Sequence, residues 1–309
     1  MRSVQLLAAT ALAIALSVTS AAAQKKYDIG ATDTEIKIGQ TVPFSGPASA
    51  YAGIGKTQAA YMKMINDQGG INGRKLNLIQ YDDAYSPPKA VEQVRKLVEG
   101  DEVLFTFQII GTPSNAAVQK YLNARKVPQL LASTGASRFS DPQNAPWTIA
   151  FNPNYQSEGR IYAKYILANH PNAKIGIFYQ NDDLGRDYIA GLKSGLGDKA
   201  ASMIVAEVSY ELTDPTVDSQ IVKLKAASVD LLYDASTPKF AAQAIRKVAD
   251  LDWHPVHILD INASPVSATL KPAGLDISKG IISTNYGKDP ADPQWKDDPG
   301  VKEIGRAHV

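Results

Sequence analysis

The chain contains no cysteine among its 309 residues. This absence excludes disulfides, thiolate metal sites, cysteine nucleophiles and a lipid attached through cysteine. Histidine is scarce as well, with four residues, so a histidine-rich metal site is not expected. Neither charge dominates, since 32 Lys and Arg face 31 Asp and Glu. Nucleic-acid-binding and acidic-tail proteins need a strong excess of one sign, so we expect no nucleic-acid partner.

Long hydrophobic runs are absent after the N-terminus. The apolar run Leu6–Val18 follows Arg2 and precedes Ala21–Ala23, an order typical of a secretory signal peptide cleaved after Ala23. A membrane-spanning helix needs about 20 apolar residues, so this run is too short to be an anchor. We therefore predict a signal peptide over residues 1–23, and a soluble mature protein in the periplasm without stable membrane insertion.

Short β-rich runs alternate with segments of helical periodicity along the rest of the chain. Val91, Val94 and Val98, for example, share one helical face. This alternation is typical of parallel sheets covered on both faces, and it predicts an α/β fold. The predicted strands are Glu35–Val42, Lys75–Gln80, Val103–Phe107, Gln129–Leu131, Thr148–Phe151, Lys174–Tyr179, Met203–Val208, Asp230–Tyr233, Val256–Leu259 and Gly280–Thr284.

The chain is long for a single sheet of this kind, so we predict two doubly wound lobes. The best boundary lies around Pro142, Pro146 and Pro153, which flank a short strand. We assign residues 24–150 to lobe 1, 151–284 to lobe 2 and 285–302 to a segment crossing back to lobe 1. Residues 303–309 resemble a translated sequencing adaptor, so we expect a non-native tail and a natural chain that continues past residue 302.

Motifs for catalysis are weak. Ala50–Thr57 is similar to a phosphate-binding loop, but its first glycine is replaced by Ala50 and the preceding strand ends too early. The pairs Asp82-Asp83 and Asp182-Asp183 follow predicted strands, where aspartate commonly caps a helix. No Gly-x-Ser-x-Gly or His-Glu-x-x-His motif is present. We expect neither an enzyme nor a cofactor or metal site.

Three loops at the carboxyl ends of predicted strands carry candidate ligand-binding residues, and open α/β sheets bind ligands at this edge. Thr112 is the expected N-cap of a helix whose exposed N–H groups attract a carboxylate. Ser133 and Thr134 offer hydroxyls, and Tyr51 offers an aromatic cover. A helix N-terminus contributes about 0.3–2 kcal/mol, whereas micromolar binding needs roughly −8 kcal/mol. The second lobe should therefore close over the ligand.

Several blocks of the sequence resemble the type I periplasmic binding proteins, and the leucine/isoleucine/valine-binding group of ABC importers most closely. The blocks extend from Glu35 to Gln294, nearly the whole mature chain. They include Ile36-Lys37-Ile38-Gly39, Phe44-Ser45-Gly46-Pro47, Gly69-Gly70-Ile71-Asn72-Gly73, Tyr81-Asp82-Asp83 and Asn181-Asp182-Asp183-Leu184-Gly185.

The resemblance implies two Rossmann-like lobes joined by three crossings, hinge closure on a small-molecule solute, and delivery by a monomer to the permease subunits of an ABC transporter. It assigns carboxylate binding to Thr112, or to the adjacent Gly111, and to Ser133 and Thr134, and an aromatic contact to Tyr51. Tyr155 falls where amino-acid binders place one acid for the ligand ammonium, and Ile261 or Asn262 falls where they place a second. Carboxylate recognition is thus expected to be kept, whereas ammonium recognition stays open. Tyr51 and Tyr155, expected to face each other, would suit a flat or aromatic acid.

We therefore predict the solute-binding component of an ABC importer, specific for a small carboxylate-bearing solute such as an amino acid, an amide or an aromatic acid. Two alternatives remain open. One is a ligand-sensing receptor of the same fold, and the other is a periplasmic α/β hydrolase. The hydrolase needs a general base, and His170, His254 and His257 lie near no plausible nucleophile.

Overall fold

A computed structural model describes residues 26–288 and 292–307 of the chain. The predicted signal peptide and the end of the expected non-native tail, residues 308–309, lie outside the described residues. In the part that is described, no helix combines the length and the apolar character needed to cross a membrane.

Two parallel sheets form the framework, one in each lobe. The first has the strand order β2-β1-β3-β4-β5 and the second the order β7-β6-β8-β9. The strands of the first sheet are β1 (Glu35–Val42), β2 (Lys75–Asp82), β3 (Phe105–Phe107), β4 (Gln129–Ala132) and β5 (Thr148–Ala150). Those of the second are β6 (Ile175–Gln180), β7 (Ile204–Tyr210), β8 (Leu231–Ala235) and β9 (Val256–Leu259).

Helices connect successive strands, as parallel pairing requires. The first lobe contains α1 (Ala52–Asp67), α2 (Pro87–Arg95) and α3 (Thr112–Arg125). The second contains α4 (Tyr155–Asn169), α5 (Asp183–Leu196), α6 (Ala200–Met203), α7 (Asp218–Ala226), α8 (Pro238–Asp250) and α9 (Lys271–Ala273). A further helix, α10 (Pro299–Ala307), contacts α1, where the Tyr61 hydroxyl donates to Glu303 Oε1 at 3.2 Å.

Separate apolar clusters cover the two faces of the second sheet. One includes Tyr162 of α4 and Leu192 of α5, and the other includes Ile221 of α7 and Phe240 of α8. In the first lobe, Val94 packs with α3, in agreement with the helical face predicted from the sequence. The predicted α/β class with two doubly wound lobes is therefore confirmed.

Nine of the ten predicted strands form. The prediction of a strand over Gly280–Thr284 was wrong, because only Ile282 pairs there, in a single bridge to Ile258. Gly280 adopts a φ of 85°, which lies outside the extended region that a strand requires. Among the described residues, β9 is therefore the last strand of the second sheet along the sequence.

Close contact between α4 and α5 depends on glycine. A Cβ placed on Gly191 of α5 would overlap the carbonyl oxygen of Gln156 in α4. A Cβ on Gly159 would lie 2.7 Å from the carbonyl oxygen of Tyr188. The two helix backbones thus approach where neither has a side chain, and this fixes the position of the α4 N-terminus beside the first lobe.

We predict that Gly191→Ala lowers the free energy of unfolding by about 1–3 kcal/mol, because the added methyl group over-packs two backbones. Gly53→Ala is the matched control, since Gly53 lies in α1 with no atom near its missing Cβ. Alanine there should raise stability by about 0.5–1 kcal/mol through helix propensity. Urea denaturation of both variants measures this, and equal effects would contradict the close approach of α4 and α5.

Candidate functional site

A cavity of about 60 Å³ lies between the lobes. This exceeds the roughly 10–15 Å³ that a cavity needs to enclose one water, so the space can be occupied. Two larger surface hollows, of about 310 and 370 Å³, are each confined to one lobe. We take the smaller one as the candidate site because both lobes line it. Its lining consists of Tyr51, Ile54, Tyr85, Ile110, Gly111, Thr112, Ser133, Asn152, Tyr155, Leu184 and Asn262.

Each strand of the first sheet supplies a residue to this cavity. Tyr85 follows β2, Tyr51 follows β1, Thr112 follows β3, Ser133 follows β4 and Asn152 follows β5. Because parallel strands end at a common edge of the sheet, the strand order arranges these residues in a row.

Tyr85 was missed by sequence reasoning and is 2% exposed. Its N–H donates to Asp83 Oδ1 at 2.9 Å, so Asp83 holds this turn and does not act as the expected helix cap. Burial raises the pKa of Tyr85 well above its usual value, and the charge of Asp182 in the second lobe raises it further. Gly111 has a φ of 100°, and a Cβ on it would overlap the Tyr85 ring. Glycine is therefore required beside this tyrosine.

The Thr112 hydroxyl has a different role from the one expected. The N-cap of α3 is Gly111, and no side chain caps this helix. The N-cap prediction was wrong because Thr112 Oγ1 bonds to Thr134 Oγ1 at 2.8 Å. Thr134 Oγ1 also accepts from the N–H of Ala136 at 3.1 Å. Thr134 is fully buried, so it supports Thr112 from behind the cavity wall.

Free hydrogen-bond donors remain at the start of α3. Within the described chain, the N–H groups of Thr112 and Ser114 and the Ser133 hydroxyl have no hydrogen-bond partner. The intervening Pro113 has no N–H to offer. The helix macrodipole adds a partial positive charge at this end. This part of the cavity is therefore suited to an anionic or strongly accepting group.

Tyr155 forms a further wall of the cavity and lies against Gly135 of the first lobe. It is 3% exposed and stacks on Tyr188 with 4.8 Å between the ring centroids. Its N–H donates to the carbonyl of Gly135 at 2.9 Å. A Cβ on Gly135 would lie 2.6 Å from the Tyr155 ring, so glycine allows this packing. Burial raises the pKa of Tyr155, which keeps its hydroxyl protonated at neutral pH.

Two buried carboxylates of the second lobe, Glu158 and Asp260, lie behind the cavity and are already hydrogen bonded. Glu158 accepts from the hydroxyls of Tyr162, Tyr188 and Thr284 and from the N–H of Ile261. Asp260 accepts from the N–H groups of Ser236 and Asn262 and from the Asn262 side chain. Burial and the nearby Glu158 raise the pKa of Asp260 well above its usual value. No residue lining the cavity carries a charge.

A direct contact joins the lobes across the cavity. The Tyr51 hydroxyl donates to the main-chain oxygen of Asn262 at 3.1 Å. The Asn262 side chain in turn donates to the Tyr188 hydroxyl at 3.1 Å. The lobes are therefore closed on each other in this structure.

The structure places five of the six predicted site residues on the cavity and Thr134 directly behind it. Their role in binding stays a prediction. Asn152 was missed along with Tyr85, although its place directly after β5 was a usable signal.

Comparison with known proteins points to one protein family. The family model described as periplasmic binding protein matches residues 35–298. The chain is 25% identical over 268 residues to the Leu/Ile/Val-binding protein homolog 1 of Brucella abortus, which covers 85% of this chain and 70% of that protein. It is 26% identical to a leucine-, isoleucine-, valine-, threonine- and alanine-binding protein of Pseudomonas aeruginosa, over 82% of this chain and 67% of the relative.

Solved structures of other proteins share the fold of this chain. A substrate-binding periplasmic protein from Ralstonia solanacearum superposes with a TM-score of 0.77 at 26% identity, covering 88% of this chain and 76% of that one. A solute-binding protein of an ABC transporter from Rhodopseudomonas palustris BisB5, in complex with 3,4-dihydroxy benzoic acid, gives 0.61 at 20% identity, covering 71% and 59%. The second likeness is one of fold alone.

The ionisation of Asp182 should make the stability of the protein depend on pH. It caps α5 by accepting from the N–H of Leu184 at 2.8 Å, and burial raises its pKa to about 6. Burial also acts on the adjacent Asp183, but hydrogen bonds from Arg138 and Arg186 outweigh it and lower that pKa. The two neighbours should therefore have opposite effects on stability.

We predict that Asp182 makes the protein less stable as pH rises from about 4 to 6, by at most about 3 kcal/mol, because the folded state holds the proton longer than the unfolded state. Asp182→Asn should flatten this decline in unfolding experiments across that range. Asp183→Asn is the control. Because the pKa of Asp183 is lowered, this residue makes the wild-type protein less stable as pH falls, and the variant should remove that effect. Identical pH profiles for both variants would contradict the assignment.

Proposed function

The chain belongs to the periplasmic binding protein family, and we propose that it is the solute-binding component of an ABC importer, closing on a small carboxylate-bearing solute. Its relatives and its fold are those of solute-binding proteins and not of enzymes. The observation that carries the proposal is the cavity between the closed lobes, which is lined by the start of α3 and by aromatic and amide side chains.

A carboxylate suits the α3 end of the cavity. The N–H groups of Thr112 and Ser114 and the Ser133 hydroxyl can donate to its oxygens, and hydrogen bonds to a charged acceptor are about twice as strong as neutral ones. The macrodipole of α3 adds to the same preference. No acidic side chain lines the cavity to repel the ligand.

The rest of the cavity favours a flat or aromatic body. Tyr51 and Tyr85 lie together on the first lobe with ring centroids 6.5 Å apart, and Tyr155 lies on the second. An ammonium group would find no free carboxylate, since Glu158 and Asp260 are occupied by internal donors. The fold accommodates an aromatic acid in the R. palustris protein. These features support an aromatic acid over an amino acid.

Export and the transporter partner belong to the same proposal. Membership of the family implies an extracytoplasmic location, and the signal peptide predicted over residues 1–23 provides the route. We assign lobe 1 to residues 24–150 and lobe 2 to 151–284, with a monomer that delivers its solute to permease subunits. Co-purification with a permease supports this role, whereas co-purification with a receptor kinase would indicate the sensor of the same fold.

The solute class can be tested by a thermal-shift screen of amino acids against aromatic carboxylic acids. We expect the largest rise in melting temperature with an aromatic acid, because it satisfies the α3 donors and fills the space between the tyrosines. Stabilisation by leucine alone would contradict the proposed class.

We predict that Ser133→Ala weakens binding of the best acid from this screen about ten-fold, because the carboxylate loses one donor in a closed cavity. Adding Thr112→Val should weaken binding of the acid further, because residue 112 then loses its hydrogen bond to the Thr134 hydroxyl. Calorimetric titration measures both. Ser202→Ala is the control, because Ser202 is exposed on the second lobe and bonds only locally. Unchanged affinity in the double variant would count against this site.

A further inference from the structure

Tyr85 extends from the first lobe to the second beside the cavity. Its ring packs on Gly111, where an added Cβ would lie 2.1 Å from Tyr85 Cε2, and its centroid is 6.5 Å from that of the Tyr51 ring. Burial raises the pKa of its hydroxyl, the charge of Asp182 in the second lobe raises it further, and the side chain of Gln180 in that lobe acts in the opposite direction. One side chain therefore bounds the space between the lobes on this side.

The backbone that presents Tyr85 is strained, and two carboxylates hold it. Ala84 and Tyr85 have φ values of 51° and 57°, in the left-handed region that residues other than glycine seldom adopt. The N–H of Ala84 donates to Asp82 Oδ1 and that of Tyr85 donates to Asp83 Oδ1, both at 2.9 Å. Such conformations persist only where the surroundings enforce them, and they are concentrated at functional sites. The strain therefore indicates that the placement of this ring serves the site.

The ring of Tyr85 fills volume that a solute could otherwise use. Tyr85 is 2% exposed although it lines the cavity, so almost its whole surface is packed. With the ring in place, the cavity measures about 60 Å³. A closely packed wall does not accept additional groups without strain. Replacement of Tyr85 by a smaller residue would therefore enlarge the cavity beside Gly111, at the start of α3.

We infer that Tyr85 is a specificity-determining residue that limits the size of the solute, so that the site takes compact carboxylic acids and excludes those with a longer body. The inference rests on the proposed carboxylate-binding function and narrows its substrate class. In a closed hydrophobic pocket, one methylene group in excess changes binding by about 10–200-fold. A fixed aromatic wall can therefore select by size without any charged group.

Two sets of acids test this by calorimetric titration of the whole chain. Benzoate, phenylacetate, 3-phenylpropionate and 4-phenylbutyrate lengthen the body by one methylene group at a time, and propionate, pentanoate and heptanoate lengthen a body without a ring. In any set that binds, we expect the longest acid to bind the wild-type chain roughly ten-fold or more weakly than the best member. If the longest acid of every such set stays within about ten-fold of the best one, the inference is overturned.

Variants show whether Tyr85 is the limiting residue. Tyr85→Ala should bind the longest acid roughly ten-fold more tightly than the wild type does, because the volume of the ring becomes available. Tyr85→Leu should shift the preference in the same direction and serves if the alanine variant does not fold. Tyr85→Phe keeps the ring, so it should keep the wild-type preference. Tyr61→Ala is the matched control, since Tyr61 is an exposed tyrosine of α1 outside the cavity.

The outcomes separate this inference from the proposed function. If the alanine and leucine variants weaken binding of short and long acids by the same factor, or leave both unchanged, Tyr85 does not limit the solute and the inference fails. It fails as well if Tyr85→Phe loses the preference for compact acids, because the hydroxyl and not the ring would then decide. If Ser133→Ala weakens acids of every length, the proposed function stands in each of these cases. If no acid of either set binds the wild-type chain, both are contradicted.

Discussion

The parallel pairing of the first sheet is the constraint on which the site depends. All five strands end at one edge, and the order β2-β1-β3-β4-β5 turns residues that are distant in sequence into a row along the cavity. The same geometry places the N-terminus of α3 at the centre of that row, directly after the central strand β3. Neither a metal nor a charged side chain is needed to make this edge attractive to an anion.

Closure of the second lobe supplies what one edge cannot. A helix N-terminus contributes about 0.3–2 kcal/mol, far below the roughly 8 kcal/mol of micromolar binding. Tyr155 and Asn262 enclose the cavity from the other side, and the Tyr51–Asn262 hydrogen bond joins the lobes at its rim. Water exclusion then strengthens each remaining hydrogen bond. Glu158 and Asp260 of the second lobe support this wall from behind, since internal donors bond to their oxygens.

Periodicity and turn residues predicted most of the framework, because buried parallel strands and their helices have strong local patterns. For the site, the sequence predicted which strand ends carry candidate residues, but not the contacts between their side chains. Tyr85 was missed because its entry into the cavity depends on the absence of a side chain at Gly111, a tertiary contact with no local pattern. The N-cap assignment of Thr112 failed for a similar reason, since Thr134 of the next strand takes its hydroxyl. Asn152, in contrast, could have been predicted, because it follows the end of β5 directly.

The central claim is that the solute's carboxylate lies on the α3 N-terminus between closed lobes. A crystal structure with the tightest-binding acid from the screen tests it most directly. The account predicts carboxylate oxygens within about 3.2 Å of the Thr112 main-chain nitrogen and of Ser133 Oγ, with the body of the acid between the tyrosines. A carboxylate turned towards Asn262 and the second lobe, or a ligand bound outside this cavity, would contradict it.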